Sequence, residues 1–165
     1  MKYTWFTYLF IALALFSCRG ENESDLQKID QILDIYIKNS AGQDLLNREV
    51  SGAYYSVELR DLGALRDRVA VSTTRGTDSD TIQYIRYIAG AERTLQDGGT
   101  DVYKIYTSAF AVQYRTSSSA EVQEDRMTIY YEWTPQLFQI RNIDYNGTTI
   151  FTKTANLPNT ITIVK

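Results

Sequence analysis

The sequence predicts an α+β domain: one N-terminal amphipathic helix packed on a curved antiparallel β-sheet. Three observations point there. Leu26, Ile29, Ile32, Leu33, Tyr36 and Ile37 recur at spacings of three and four, the repeat of one helix face. From Val50 onward the chain is rich in Tyr, Thr, Val and Ile and alternates with period two, as half-buried strands do. Asn146-Gly147, between two such runs, is the strongest short-range hairpin signal. The alternative built from the same elements is a β-barrel or sandwich with one helix closing an end.

Taken in order, the chain starts with Lys2 and an apolar run that ends at Leu15-Phe16-Ser17-Cys18. A charged start, an apolar middle and a small residue before the cut make a secretory signal. Arg19 to Ser24 is polar and reads as a tether, so the chain divides into a signal (1–17), a tether (18–24) and a single domain (25–165). Ser24-Asp25-Leu26-Gln27 fits a capping box, which starts the predicted helix near Asp25; Ser40-Ala41-Gly42 closes it after Asn39. Val50–Arg60 reads as a strand with Tyr55, Val57 and Leu59 on one side, and Arg68–Thr74 as a second. Thr81–Gln96 suits either a helix or a strand interrupted at Gly90, and the strand is favoured. In Asp101–Arg115, Val102, Tyr106, Phe110, Val112 and Tyr114 share one parity. Met127, Ile129, Tyr131 and Trp133 line one face of the next strand, which places Trp133 in the core. Leu137–Tyr145 lacks clean alternation, as a bulged strand does, and Thr148–Thr154 completes the hairpin; Thr160–Val164 adds an edge strand.

Leu15-Phe16-Ser17-Cys18 resembles the lipobox of bacterial lipoproteins, with a leucine three before the cysteine and a small residue one before it. That resemblance implies a diacylglyceryl thioether on Cys18, removal of residues 1–17 and acylation of the new amino group. Phe16 is bulkier than the residue usual at its place. The acidic residues of the tether are similar to those after the lipid cysteine in surface-exported lipoproteins of the Bacteroidota, although Arg19 and Gly20 come first; a merely solvated linker has the same composition. The implied location is the cell envelope, lipid-anchored to the outer membrane, with its periplasmic or surface face open. Two other readings of the segment are an uncleaved anchor, short of the roughly 20 apolar residues a span needs, and an ordinary secretory signal. The element order after residue 24 resembles cystatin-like or NTF2-like folds. It brings no motif, and no functional residue is carried over from them.

Composition narrows the chemistry. The chain has 165 residues and a net charge of −3; cleavage takes one lysine, Lys2, and leaves 148 residues at −4. That is enough for a sizeable core, and its sign argues against nucleic acid, whose binding rests on phosphate neutralisation. Cys18 is the single cysteine and there is no histidine. The commonest general base and metal ligand is missing, and Cys–His catalysis with it. No phosphate loop, dinucleotide fingerprint or EF-hand appears, so no cofactor, metal or catalytic residue is assigned. Asp78-Ser79-Asp80 and Asp97 with Asp101 put carboxylates close together, but with too few ligands for a calcium site. Glu58, Glu92, Glu132 and Asp144 lie in predicted strands, where two facing each other in a cleft would form an acid–base pair.

Tyrosine is in excess, 13 in all. Cross-strand ladders of half-buried rings account for most of it. An exposed subset, Tyr54, Tyr84, Tyr103 and Tyr130 with Trp133, is the candidate platform for a saccharide or an envelope protein. Three function classes follow: a non-catalytic binding or accessory lipoprotein, a pocket protein or enzyme using carboxylate and tyrosine, and an inhibitor or structural partner of another envelope protein. Cys18→Ser is expected to abolish lipidation and release the domain from the membrane fraction. A Cys18→Ser protein that stays with membranes and keeps residues 1–17 would mark the segment as an anchor.

Overall fold

The computed structural model describes residues 26–64, 68–96 and 98–165; the signal, Cys18, the tether, Asp25 and Asp97 lie outside the described residues. The described chain is all β, which corrects the α+β expectation. Eleven strands follow in order: β1 Lys28–Asp30, β2 Leu33–Lys38, β3 Ser56–Asp61, β4 Thr73–Thr77, β5 Gln83–Tyr87, β6 Thr94–Leu95, β7 Lys104–Arg115, β8 Gln123–Trp133, β9 Leu137–Tyr145, β10 Thr148–Thr152 and β11 Asn159–Val164.

The predicted helix is instead β1 and β2. Ile35 shows why. It stands off the apolar helix face, yet with Leu33 and Ile37 it makes a period-two set, and these three are 0–1% exposed. Leu26, Ile29 and Ile32, which share the helical repeat, are exposed. An isolated helix of this length is marginal in water. As a strand, β2 is paired on both sides, parallel to β11 and antiparallel to β5, and every second residue is buried. Tertiary pairing therefore decided between two repeats that the same residues satisfy.

Sheet A runs β1-β9-β8-β7-β3, with β10 sharing the β9 edge and β6 sharing the β7 edge; sheet B runs β11-β2-β5-β4. Their inner faces meet in one core. Phe110, Val112 and Tyr114 of β7, Met127, Ile129 and Tyr131 of β8 and Ile140 and Ile143 of β9 face Leu33, Ile35 and Ile37 of β2, Ile85 and Tyr87 of β5 and Ile161 and Ile163 of β11. Tyr87 meets Phe110 edge-on across the gap, with centroids 5.2 Å apart. The β9 bulge is real: Tyr130 pairs with Asn142 and Tyr131 with Ile140, leaving Arg141 as the extra residue, so Ile140 and Ile143 both point inward. Asn146 and Gly147, at φ 49° and 82°, form the turn between β9 and β10, since both central positions of a type I′ turn need positive φ.

The expected strand Arg68–Thr74 does not form. Ala70 makes one bridge to Arg60, and β4 starts at Thr73. Thr81–Gln96 is strand, as β5 and β6, broken where Gly90 takes φ 118°. The edge strand at the C-terminus forms as β11, pairing in parallel. Tyr54 and Tyr55 reverse the expected parity: Tyr54 is buried against Tyr114 and Tyr55 is exposed, because β3 begins only at Ser56.

A polar knot secures the chain where it crosses between sheets. The Lys153 ammonium, 7% exposed, donates to Asp30 at 2.7 Å, to the Leu157 carbonyl at 2.7 Å and to Asn159 at 2.9 Å. Asn159 in turn donates to Asp30 and to the Ile32 carbonyl, both at 2.9 Å. Ile35→Ala is expected to cost about 2–5 kcal/mol, as a buried large-to-small change does, whereas Ile32→Ala stays within about 0.5 kcal/mol, as surface changes do. Chemical denaturation of both variants checks this; a cost for Ile32→Ala equal to or above that of Ile35→Ala would contradict the inward placement of Ile35.

Candidate functional site

Strands β7 and β8 have 12 and 11 residues, while β2, β5 and β11 have six, five and six. At about 3.4 Å per residue the sheet A strands outrun sheet B at their ends. One end is filled: Leu45, Leu46 and Tyr54, in the connection between β2 and β3, are buried there, with Tyr54 against Tyr114 at 4.9 Å. The end marked by Tyr106, eight residues before Tyr114 on β7, is open. There the inner-face side chains Tyr106, Trp133 and Phe138, with Gln27, Ile29, Gln31 and Arg93, line a cleft of about 310 Å³.

Each wall has an identifiable support. Ile29 pairs with Phe138 and Lys104 with Trp133 in their ladders. Phe138 stacks on Tyr131 at 5.4 Å and 13°, and Tyr106 meets Phe138 edge-on at 6.4 Å. Tyr131, fully buried beneath, keeps a hydroxyl with no hydrogen-bond partner among the described residues. Gln27 donates to the Thr134 carbonyl at 2.6 Å. Arg93 lies over Phe138 at 4.7 Å and Tyr131 at 5.1 Å, and donates to Gln31 at 2.5 Å. Lys104 sits over Trp133 at 4.9 Å. Arg93 is aimed by buried polar groups one residue away: Asp61 accepts from Glu92 N–H at 2.7 Å, and Ser108 donates to the Glu92 carbonyl at 2.7 Å. Among the described residues no acidic side chain lines the cleft.

The five expected platform residues do not come together. Tyr54 is in the core. Tyr84 lies on the outer face of sheet B beside Tyr36 at 5.6 Å, its ring against Gly76, where a Cβ would stand 2.3 Å from Tyr84 Cζ. Tyr103 is exposed in the loop before β7. Tyr130 lines a depression of about 350 Å³ on the outer face of sheet A with Asp144 and Arg126. Trp133 alone is in the aromatic cleft, and it is half-buried at the rim, which corrects its placement in the core. Of the other cleft residues, Tyr106 and Ile29 stood on predicted apolar faces. Nothing in the sequence around Arg93 marked it, because its position depends on Asp61 and Ser108, 32 and 15 residues away in the chain.

The carboxylates separate too. Glu58 is exposed and paired with Arg60 at 2.6 Å. Glu132 accepts from Gln139 in a polar cleft of about 620 Å³ on the outer face of sheet A, whereas Asp144 lies in the depression with Tyr130. Asp144 pairs with Thr128, four residues before Glu132 on β8, roughly 13 Å along the strand. Asp78 caps its own turn, accepting from Asp80 and Ile82 N–H at 3.0 and 2.9 Å. Among the described residues no cluster of three potential metal ligands forms.

At the filled end Asp125 accepts from Tyr145 at 2.5 Å, from Asn146 at 2.8 Å and from Lys165, and Tyr145 bonds Tyr114 at 2.8 Å. Burial pushes the Asp125 carboxyl up, but the bonds from Lys165, Tyr145 and Asn146 outweigh it and hold the carboxyl below its ordinary value. Burial pushes the Tyr145 hydroxyl far up, and its bonds to Asp125 and Tyr114 add to the rise; burial also raises Tyr114. These shifts run away from neutrality, so the network holds its protons and fixes Lys165 and the β9–β10 turn.

Compared with known family models, with curated proteins and with solved structures, the chain matches none. Its own geometry defines it as an all-β, two-sheet domain with an aromatic, cation-bearing cleft at one open end.

The titrations set the pH range of stability. Asp125 and Asp30 have depressed carboxyl values; for Asp30 burial opposes the drop and the bonds from Lys153 and Asn159 prevail. Their contribution is present above the unfolded value of about 3.9 and is lost as pH falls through the lower folded values. Tyr114 and Tyr145 are raised, so theirs is present below about pH 10 and is lost above it. The thermal midpoint is expected to fall on both flanks. Asp125→Asn should flatten the acid flank, and an unchanged acid slope in that variant would contradict the assignment.

Proposed function

We propose that this chain is a lipid-anchored cell-envelope protein whose domain binds a ligand in the cleft of Trp133, Tyr106 and Phe138 and performs no chemistry on it. The carrying observation is the cleft itself. Tyr106 and Trp133 are only half-buried at an open end, beside Phe138 with Arg93 over its ring, while the other end of the sandwich is filled. Such rings, flanked by a few oriented polar groups, are what binding sites for small molecules and saccharides use. The lipobox-like Leu15–Cys18 supports the anchor and an outer-membrane location, with the membrane as one partner and an envelope protein or saccharide as the other. The missing histidine, the dispersed carboxylates and the upward shifts of Tyr114 and Tyr145 support a non-catalytic role.

The test uses a convenient fact: the two tryptophans are Trp5 and Trp133, so after removal of residues 1–17 all indole emission comes from the cleft. Ligands drawn from envelope saccharides and peptides are expected to shift that emission. Trp133→Ala should weaken their binding about tenfold, near 1.4 kcal/mol, while the domain stays folded because the ring is only half-buried. A ligand that binds the mature protein without moving the emission and is indifferent to Trp133→Ala would place the site elsewhere.

A further inference from the structure

We infer that the cleft's ligand is an acidic saccharide, a hexuronate-type ring whose face lies on the aromatic wall and whose carboxylate meets Arg93. The inference rests on the reading of this cleft as the binding site and names the chemistry that the site selects.

The first argument is hydrogen-bonding capacity. A guanidinium has five N–H donors. Among the described residues Arg93 spends one of them, on Gln31. With its carbonyl oxygen taken by Arg93, the Gln31 side chain keeps its amide N–H groups. The Trp133 indole N–H and Tyr106 hydroxyl have no hydrogen-bond partner among the described residues. Against these donors stand the carbonyl oxygen of Gln27, whose amide nitrogen is held by Thr134, the second lone pair of the Gln31 carbonyl and the Tyr106 hydroxyl oxygen, so donors outnumber acceptors. A donor-rich cleft fits an acceptor-rich ligand.

The second argument is charge. The chain is net negative, yet among the described residues no Asp or Glu lines this cleft and none makes an ion pair with Arg93. Lys104, over Trp133, adds a second cation at the same end. Two cations beside a cleft without a described acidic lining residue favour an anion. Arg is suited to a carboxylate because its planar fork makes two parallel bonds. Arg93 is partly positioned for this: its Cζ lies 4.7 Å from the Phe138 ring centroid, it donates to Gln31, and the backbone of its neighbour Glu92 is held by Asp61 and Ser108. Less freedom is then lost on binding.

The third argument is shape and composition. About 310 Å³ lies at the small end of ligand clefts, which run from about 300 to 1,000 Å³. That suits a short saccharide more than a folded partner. A pyranose ring has one apolar face for Trp133 and Tyr106 and a rim of hydroxyls for Gln27 and Gln31. A bare carboxylate would leave the aromatic wall unused, and a neutral sugar would leave Arg93 unmatched.

The experiment titrates the mature protein, through Trp133 emission, with trigalacturonate, with its neutral counterpart trigalactose, with acetate and with a Glu-rich peptide. Trigalacturonate is expected to bind at least about tenfold more tightly than trigalactose and acetate, and to weaken as salt is raised because exposed charges are screened. Arg93→Gln should erase that preference, leaving trigalacturonate and trigalactose within about twofold, while Arg93→Lys restores part of it. Circular dichroism melting of each variant separates lost recognition from lost folding. If Arg93→Gln fails to fold, the preference of the wild-type protein and its salt dependence still decide the matter. Equal binding of the two trisaccharides overturns the inference and leaves the cleft as a neutral-sugar site. Binding of the Glu-rich peptide alone overturns it in favour of a protein ligand. Failure of all four probes to move Trp133 overturns it as well, and the broader reading of the cleft then stands or falls on the wider ligand screen with Trp133→Ala.

Discussion

The unequal length of the two sheets governs this structure. Sheet A is built from strands of 9–12 residues in β7, β8 and β9, and sheet B from strands of five or six. A short sheet cannot cover a long one, so the inner face of sheet A is left with apolar side chains beyond the shared core at both ends. Exposed rings carry a cost in water, on the order of 25 cal/mol per Å² of apolar surface, and each end meets that cost differently. Tyr54, Leu45 and Leu46 fill one end. At the other a single arginine is laid over two rings, and a cleft remains.

The two sheets must also be held in register by a chain that crosses between them. The β1–β2 crossing takes only Gln31 and Ile32, so β1 joins sheet A and β2 joins sheet B almost without a loop. The knot of Asp30, Lys153 and Asn159 stands at this crossing and ties it to β11. A nearly buried ammonium is tolerated because each of its three N–H donors finds an acceptor. Its position keeps β1, and with it Gln27, Ile29 and Gln31, against β9, so the wall of the cleft is stabilised by an ion pair on the opposite side of the same strand.

The surplus of tyrosine is shared among several tasks. Tyr87, Tyr114 and Tyr131 are core residues. Tyr114 and Tyr145 carry a hydroxyl chain to Asp125. Tyr84 covers Gly76 on the edge strand β4, an aromatic ring supplying across the ladder the side chain that glycine lacks. Among the described tyrosines Tyr106 lines the cleft. A ring with a polar tip suits a sandwich whose strands end near water, since its body is buried and its hydroxyl reaches the rim.

The strands were legible in the sequence wherever a single repeat had no competitor. Phe110, Val112 and Tyr114, then Met127, Ile129 and Tyr131, alternate over long runs and face the core as read. The Asn146-Gly147 turn and the irregular β9 were legible for local reasons, the positive φ of a tight turn and the broken alternation of a bulge. Leu26 to Ile37 satisfied two repeats at once, and local propensity did not separate them. The choice fell to β5 and β11, which flank β2 on both sides and lie about 50 and 125 residues further along the chain. The cleft was legible only as Trp133. Its other decisive group, Arg93, owes its place to Asp61, Ser108, Gln31 and Phe138, contacts that exist only once the two sheets have closed. By itself the sequence determined the signal-like N-terminus, the chemistry that a chain without histidine lacks, and the inward parity of its long strands, because these follow from composition and from neighbours a few residues apart. Tertiary structure alone decided that the first segment is a strand, that one end of the sandwich is open and that an arginine stands over it, because each depends on which distant strands pair and on how far one sheet outruns the other.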